Sequence, residues 1–409
     1  MSKLAGSIYG WRLTGALKQF LTRTIPGVNR FKNIAWHGKT GCDVLIYDSM
    51  GSDALRSCIP TGTKVNVLRV REGMPLIKSG YFFFLGLINL CLYRSTTRAW
   101  RTALVNTWKP KVVMTFIDNS TSMGRIKSLF PEVQCVSIQN GARWVLSMPF
   151  QQRLDLDHYF CFGEVESDMM HRGGHLVEHY YPIGSIKAGI FWEQQLSHKT
   201  KKFDLCFISQ FRSRFLPADG YIGEVLDAYK KTVKDVFTQV ANVAVKRNMS
   251  LCVAMRYPLG SAEYDKEVEY FTHSNNHEFT FIPKSNYSSY ESVQVSKLTV
   301  TCSSALGYEA LGFGERVIFA KDVKEIASLV FKGTWKTNLA TDHLPDLQRL
   351  YSTSDDELSR KVDSLLAMTD EEYLAYSEEA RWHYMKFDKN KLPQDVVKNK
   401  IAIWLEQRA

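Results

Sequence analysis

Again and again in this chain, an apolar, β-branched run breaks into a short polar turn, and the turns carry residues with usable chemistry. In the first half they are Asp118 with Asn119, then Gln139-Asn140-Gly141-Ala142-Arg143, then Glu164 with Glu166. In the second half they are Ser209 and Gln210 with Arg212 and Arg214, then Asp219, Arg256, and the stretch from Ser303 to Glu309. Serine hydroxyls and open backbone N–H groups where a strand turns into a helix suit a phosphate. Arginine supplies the matching charge. Glu309, one turn into the helix expected after Ser304, is spaced to accept both hydroxyls of a ribose. The alternative at Ser303-Ser304 is an ordinary connection with a serine N-cap.

The elements that must position these turns follow from the apolar pattern. Strands are expected at Cys42–Tyr47, Val65–Val70, Val112–Phe116, Cys135–Ile138 and His158–Phe162, then at Phe203–Ser209, Leu251–Met255, Phe279–Ile282, Leu298–Val300 and Arg316–Phe319. Helical stretches separate them, which indicates parallel sheets. One long or broken helix is expected from Tyr81 to Lys109, another from Gly220 to Lys246, and charged helices over Asp355–Phe387 and Val396–Gln407. A short helix near Leu13–Thr22 is expected in an otherwise irregular start. The polar stretch Glu193–Lys202 reads as a linker. The expected division is 1–190, 200–385, and a terminal helix over 386–409.

A chain of 409 residues with 45% apolar and 12% aromatic content has room for two or three packed domains, not disorder. The eight cysteines form no CxxC pair and lie mostly in apolar runs, which fits free thiols in a reducing cytoplasm. Met1–Lys18 lacks the apolar core of a signal peptide. Tyr81–Tyr93 (YFFFLGLINLCLY) is too short to span a bilayer and reads as a buried or an interfacial helix. The net charge of +10 is concentrated in a basic N-terminal third, from Lys18 to Lys78. An anionic membrane surface matches a basic face beside an apolar patch; a solvated basic surface without a partner is the alternative. No motif of a nucleic-acid reader is present, and none is expected as a partner.

Ser303-Ser304-Ala305-Leu306-Gly307-Tyr308-Glu309-Ala310-Leu311-Gly312, followed by a strand, resembles the nucleotide-sugar segment of GT-B glycosyltransferases. With Thr115–Asn119, Ile138–Arg143 and Phe207–Arg212, the pattern over roughly 115–320 resembles bacterial surface-polysaccharide transferases, including the retaining β-Kdo type of O-antigen and capsule synthesis. The resemblance implies an α/β GT-B fold, with two Rossmann-like domains facing a central cleft. It implies a cytoplasmic enzyme at the inner membrane that uses a nucleotide sugar, CMP-Kdo, and a glycan or lipid-linked glycan acceptor. No cofactor and no metal are expected. Donor contacts fall on Ser209, Gln210, Arg212, Arg256, Ser303, Ser304, Gly307 and Glu309. The acceptor side falls on Asp118, Asn119, Asn140 and Arg143.

Glycosyl transfer also needs a carboxylate, as base or nucleophile. Glu164 leaves its strand through Gly163, which lets the chain turn it into the cleft; a first-turn acid on a helix dipole is the other reading. Asp219, in a Pro-Ala-Asp-Gly turn, is the second candidate, or else a helix N-cap. Asp155-Leu156-Asp157 has the spacing of a metal motif but precedes a strand. His158 and His175 lie away from strand carboxyl ends and read as structural. Rival functions are a UDP- or GDP-sugar transferase, a polyol-phosphate transferase, and a non-catalytic module that binds nucleotide or glycan.

Overall fold

The computed structural model describes residues 34–37, 41–69, 74–77, 79–93, 96–141, 153–194, 200–212, 221–272, 279–320, 350–352 and 354–407. The expected N-terminal helix, the linker's centre, Arg143, Arg214 and Asp219 lie outside these residues.

The first half contains β1 (Ile34–His37), β2 (Val44–Ile46), β3 (Val65–Val67), β4 (Met74–Ile77), β5 (Val112–Thr115), β6 (Gln134–Ile138), β7 (Asp155–Cys161) and β8 (Leu176–Pro182). Its helices are α1 (Ser52–Ser57), α2 (Gly80–Tyr93), α3 (Thr96–Trp108), α4 (Ser122–Leu129), α5 (Glu164–Arg172) and α6 (Ile186–Gln194). Six strands form one sheet in the order β3-β2-β5-β6-β7-β8, and every pairing is parallel. β5 is buried at all four positions, as a central strand covered on both faces must be. β1 and β4 form a separate parallel pair.

The second half holds β9 (Phe203–Ile208), β10 (Leu251–Ala254), β11 (Thr280–Ile282), β12 (Ser296–Thr301), β13 (Val317–Ala320) and β14 (Tyr351–Ser352). Its helices are α7 (Tyr221–Lys246), α8 (Ala262–Thr272), α9 (Ser288–Gln294), α10 (Ala305–Phe313), α11 (Asp355–Ala367), α12 (Asp370–Tyr384) and α13 (Pro393–Glu406). The sheet runs β11-β10-β9-β12-β13-β14, again parallel throughout. This is the Rossmann order, in which the first strand lies at the centre and the winding reverses between β9 and β12. The expected charged stretch from Asp355 is two helices, because Thr369 and Glu372 form a capping box that starts α12.

The halves are joined by a shared apolar cluster. Phe162, Val165, Met169, Ala188 and Phe191 from the first pack with Tyr308, Leu311, Phe313, Tyr384 and Phe387 of the second. After α12 the chain crosses back: the Lys386 N–H donates to the Phe162 carbonyl at 2.8 Å. Gly163 is required there, since a Cβ would sit 2.1 Å from the His383 carbonyl oxygen. α13 then places Val397, Ile401 and Trp404 in the first-half core beside Val44, Ile46, Val112 and Met114. Each such fully buried aliphatic side chain contributes about 1.5–3 kcal/mol.

Candidate functional site: the switch point of the second sheet

Where the winding reverses, the carboxyl ends of β9 and β12 are stitched together by Gln210. Its Oε1 accepts from the Ser303 N–H at 2.8 Å and from Thr301 Oγ1 at 3.3 Å. Its Nε2 donates to the Tyr229 hydroxyl at 2.7 Å and to Ser303 Oγ at 3.3 Å. Burial pushes the Tyr229 phenol up to about 12, against the opposing field of Arg212 and Arg256. Arg212 follows β9 and Arg256 follows β10, and both residues are exposed. Ser304 caps α10, its Oγ accepting from the Leu306 N–H at 3.3 Å. The carboxyl ends of β9 and β12 thus share a neutral hydrogen-bonding floor and a helix N-terminus, with an exposed arginine following β9 and another following β10; groups of these kinds can hold an anion.

Other residues expected to touch a donor are engaged inside the protein. Ser209 Oγ donates to Glu267 Oε1 and accepts from the Phe211 N–H. Glu267, fully buried on α8, also accepts from the N–H groups of Arg256 and Tyr257 at 3.0–3.1 Å. It fixes the turns that carry Ser209 and Arg256. Gly307 is a packing glycine: a Cβ would lie 2.5 Å from Thr301 Cγ2. Glu309 is 6% exposed and lies at the join between the halves. Ser185 Oγ donates to its Oε1 at 2.5 Å and the Tyr290 hydroxyl to its Oε2 at 2.9 Å. Burial pushes the carboxyl up, opposed by those two hydroxyls.

The carboxyl edge of the first sheet is lined by acids and amides. Asp118 is buried and Asn119 exposed. Asn140 Nδ2 donates to the Phe116 carbonyl at 2.9 Å, tying the ends of β5 and β6. Gln139 does the same for β6 and β7: its Oε1 accepts from the Phe162 N–H at 2.8 Å and its Nε2 donates to Glu166 Oε1 at 2.9 Å. Burial pushes Glu166 up to about 7, with Asp118 adding to the shift. Glu164 opens α5 with its side chain 53% exposed and pairs with Lys386 Nζ at 3.1 Å. Gly163 is explained by the crossing chain, whose His383 carbonyl oxygen leaves no room for a Cβ.

Three sequence readings outside the crevice have structural explanations. Asp155 and Asp157 both pair with Lys127 Nζ at 3.2 Å. His158 stacks on Trp404 at 4.0 Å and shares a 2.7 Å hydrogen bond with Gln134; burial pushes it down to about 4. His175 Nδ1 accepts from the Leu154 N–H. Tyr229, Glu267, Ser185 and Tyr290 were not among the expected site residues. Tyr229 reads from sequence only as an apolar position of α7, and no local signal separates it from core.

Two parallel Rossmann-like α/β halves define the GT-B fold. Solved structures agree. A "putative UDP-N-acetylglucosamine 2-epimerase" from Listeria monocytogenes is 12% identical, with a TM-score of 0.52 over 91% of this chain and 97% of that one. S. aureus MnaA, solved with UDP, is 12% identical with a TM-score of 0.51 and the same coverage. A comparison with curated proteins by sequence finds no match. The chain belongs to the family described as "putative O-antigen biosynthesis protein", whose model matches residues 136–399, from β6 into α13.

Proposed function

We propose that this protein is a glycosyltransferase of bacterial surface-polysaccharide assembly. It moves a sugar from a nucleotide-activated donor to a growing O-antigen or capsule glycan. The observation that carries the reading is the second sheet's switch point, where Gln210, Tyr229 and Ser303 build a hydrogen-bonded floor beside the N-terminus of α10 and the exposed Arg212 and Arg256 follow β9 and β10. In the proposed reaction the arginines and the N-terminal N–H groups of α10 neutralise the leaving nucleotide's phosphate. Glu309 accepts from the ribose in exchange for one of its present hydroxyl partners. Asp118, Asn119, Asn140 and Arg143 receive the acceptor.

The proposed donor is CMP-Kdo, transferred with retention. Two arginines suit a donor that carries carboxylate as well as phosphate. Glu164 or Asp219 serves as the carboxylate, attacking the anomeric carbon as the nucleotide leaves. An acceptor hydroxyl then displaces that carboxylate. The step is proposed without a metal or other cofactor, in the cytoplasm at the inner membrane. UDP-linked sugars are the alternative donor, favoured by the fold shared with S. aureus MnaA, which was solved with UDP. Thermal shift against CMP, CDP, UDP, GDP and ADP separates these, because a ligand of the native state raises its melting point. A shift with CMP alone supports the CMP-sugar donor; a shift with UDP or GDP replaces it. Absence of any shift removes the nucleotide-sugar reading.

A further inference from the structure

One helix of the first half presents an apolar face to water. On α2, Phe82 stacks on Trp100 of α3 at 5.7 Å. Gly86 receives the same indole so closely that a Cβ would lie 1.0 Å from it. This contact locks the α2–α3 hairpin and fixes which side of α2 faces out. That side carries Tyr81, Phe83, Phe84, Leu87, Ile88 and Leu92, with exposures from 37% to 68%. Six large apolar residues on one helical face go beyond the scattered exposure normal for a surface.

We propose that this face docks on an anionic phospholipid bilayer. A 14-residue helix is about 21 Å long, short of the roughly 30 Å hydrocarbon core, so it lies in the interface and does not span it. Among the described residues no helix is long and apolar enough to cross a membrane. Charge selects the occupant. From Gly73 to Ile117 the sequence contains no acidic residue, but it contains Lys78, Arg94, Arg98, Arg101, Lys109 and Lys111. Lys78 and Arg94 bracket α2 in the chain and Arg98 is exposed on α3, so a second copy seated on this face about a two-fold axis would bring like charges together with no acid of this segment to answer them. Anionic headgroups answer it directly.

Topology adds where the helix would sit. α3 leads through 109–111 to the start of β5, so the beginning of α3 lies at the sheet's carboxyl edge. The end of α2, beside it in the hairpin, lies there too. The end of α2 and the Asp118 and Asn140 turns therefore share one edge of the first half.

The test uses the full chain and involves no nucleotide sugar. Cys91 is exposed on α2 and the other seven cysteines are buried, so a polarity-sensitive thiol dye reports on this helix. The labelled protein is expected to brighten and shift to the blue with vesicles of phosphatidylglycerol and phosphatidylethanolamine in equal parts. Phosphatidylcholine vesicles are expected to leave it unchanged. In co-sedimentation, Phe84→Ser with Leu87→Ser is expected to lower partitioning about tenfold or more, with the melting temperature kept. Trp382→Ser, at an exposed position of α12, serves as the control and is expected to leave partitioning unchanged. Three results overturn the proposal: equal binding to neutral vesicles, no effect of the double variant, or a dimer in sedimentation that the double variant dissolves. The last would assign the face to a second copy.

Discussion

At the carboxyl edge of the second sheet, the exposed Arg212 and Arg256 follow β9 and β10, and amide, phenol and hydroxyl form a floor between β9 and β12. At the same edge of the first sheet stand carboxylates and amides: Asp118, Gln139, Asn140 and Glu166. Both edges are built alike, with one buried amide bridging adjacent strand ends, Gln210 in one and Gln139 in the other. The sheet geometry is thus generic, and the charge set on it differs: exposed arginines follow strands of the second sheet, and carboxylates and amides follow those of the first. The buried carboxylates differ too. Glu267 and Glu166 each accept from backbone N–H groups inside their own half, whereas Glu309 accepts from both halves at once.

The contrast is most exposed to test at the arginines. Replacing Arg212 and Arg256 together by alanine is expected to weaken nucleotide binding about a hundredfold or more, since hydrogen bonds to charged groups contribute about 1.5–3 kcal/mol each. Calorimetric titration checks this, and an equal loss from Asp118→Asn would break the division of labour. Glu309→Ala leaves the Ser185 and Tyr290 hydroxyls without their acceptor and is expected to lower unfolding stability by about 1–3 kcal/mol. Urea denaturation reads that loss, and the same variant is expected to bind nucleotide more weakly. Lost stability with intact affinity would assign Glu309 to the domain join alone. Glu164→Gln breaks an exposed pair with Lys386 and is expected to change stability by less than about 1 kcal/mol. Its turnover is expected to collapse; normal turnover would pass the catalytic role to another carboxylate.

Much of the winding was legible because central strands are locally apolar. Val112–Thr115, Leu251–Ala254 and Val317–Ala320 are buried at every position and stand out as runs. β8 escaped notice because it is an edge strand, half-buried to exposed along its length and ending on Pro182, where only one neighbour must be satisfied. β4 escaped because Met74-Pro75-Leu76-Ile77 contains a proline. At the site, Gln210, Arg212, Arg256 and Ser303 were legible as polar residues after strands. Whether a hydroxyl there is available was not: Ser209 and Ser303 look alike in sequence, yet Ser209 donates into the domain to Glu267.

The sequence by itself determined two rounds of α/β winding, polar turns at the strand ends, a basic balance, and an apolar segment too short to span a bilayer. Each depends on neighbours within a few turns of chain, where periodicity and turn chemistry act. The tertiary structure decided the rest. It brought Gln210 to Ser303 across 93 residues and Ser185 to Glu309 across 124. It also decided that Trp100 would press into Gly86 and leave the far side of α2 in water. Burial and partnership are properties of what packs against a residue, and those neighbours come from distant parts of the chain.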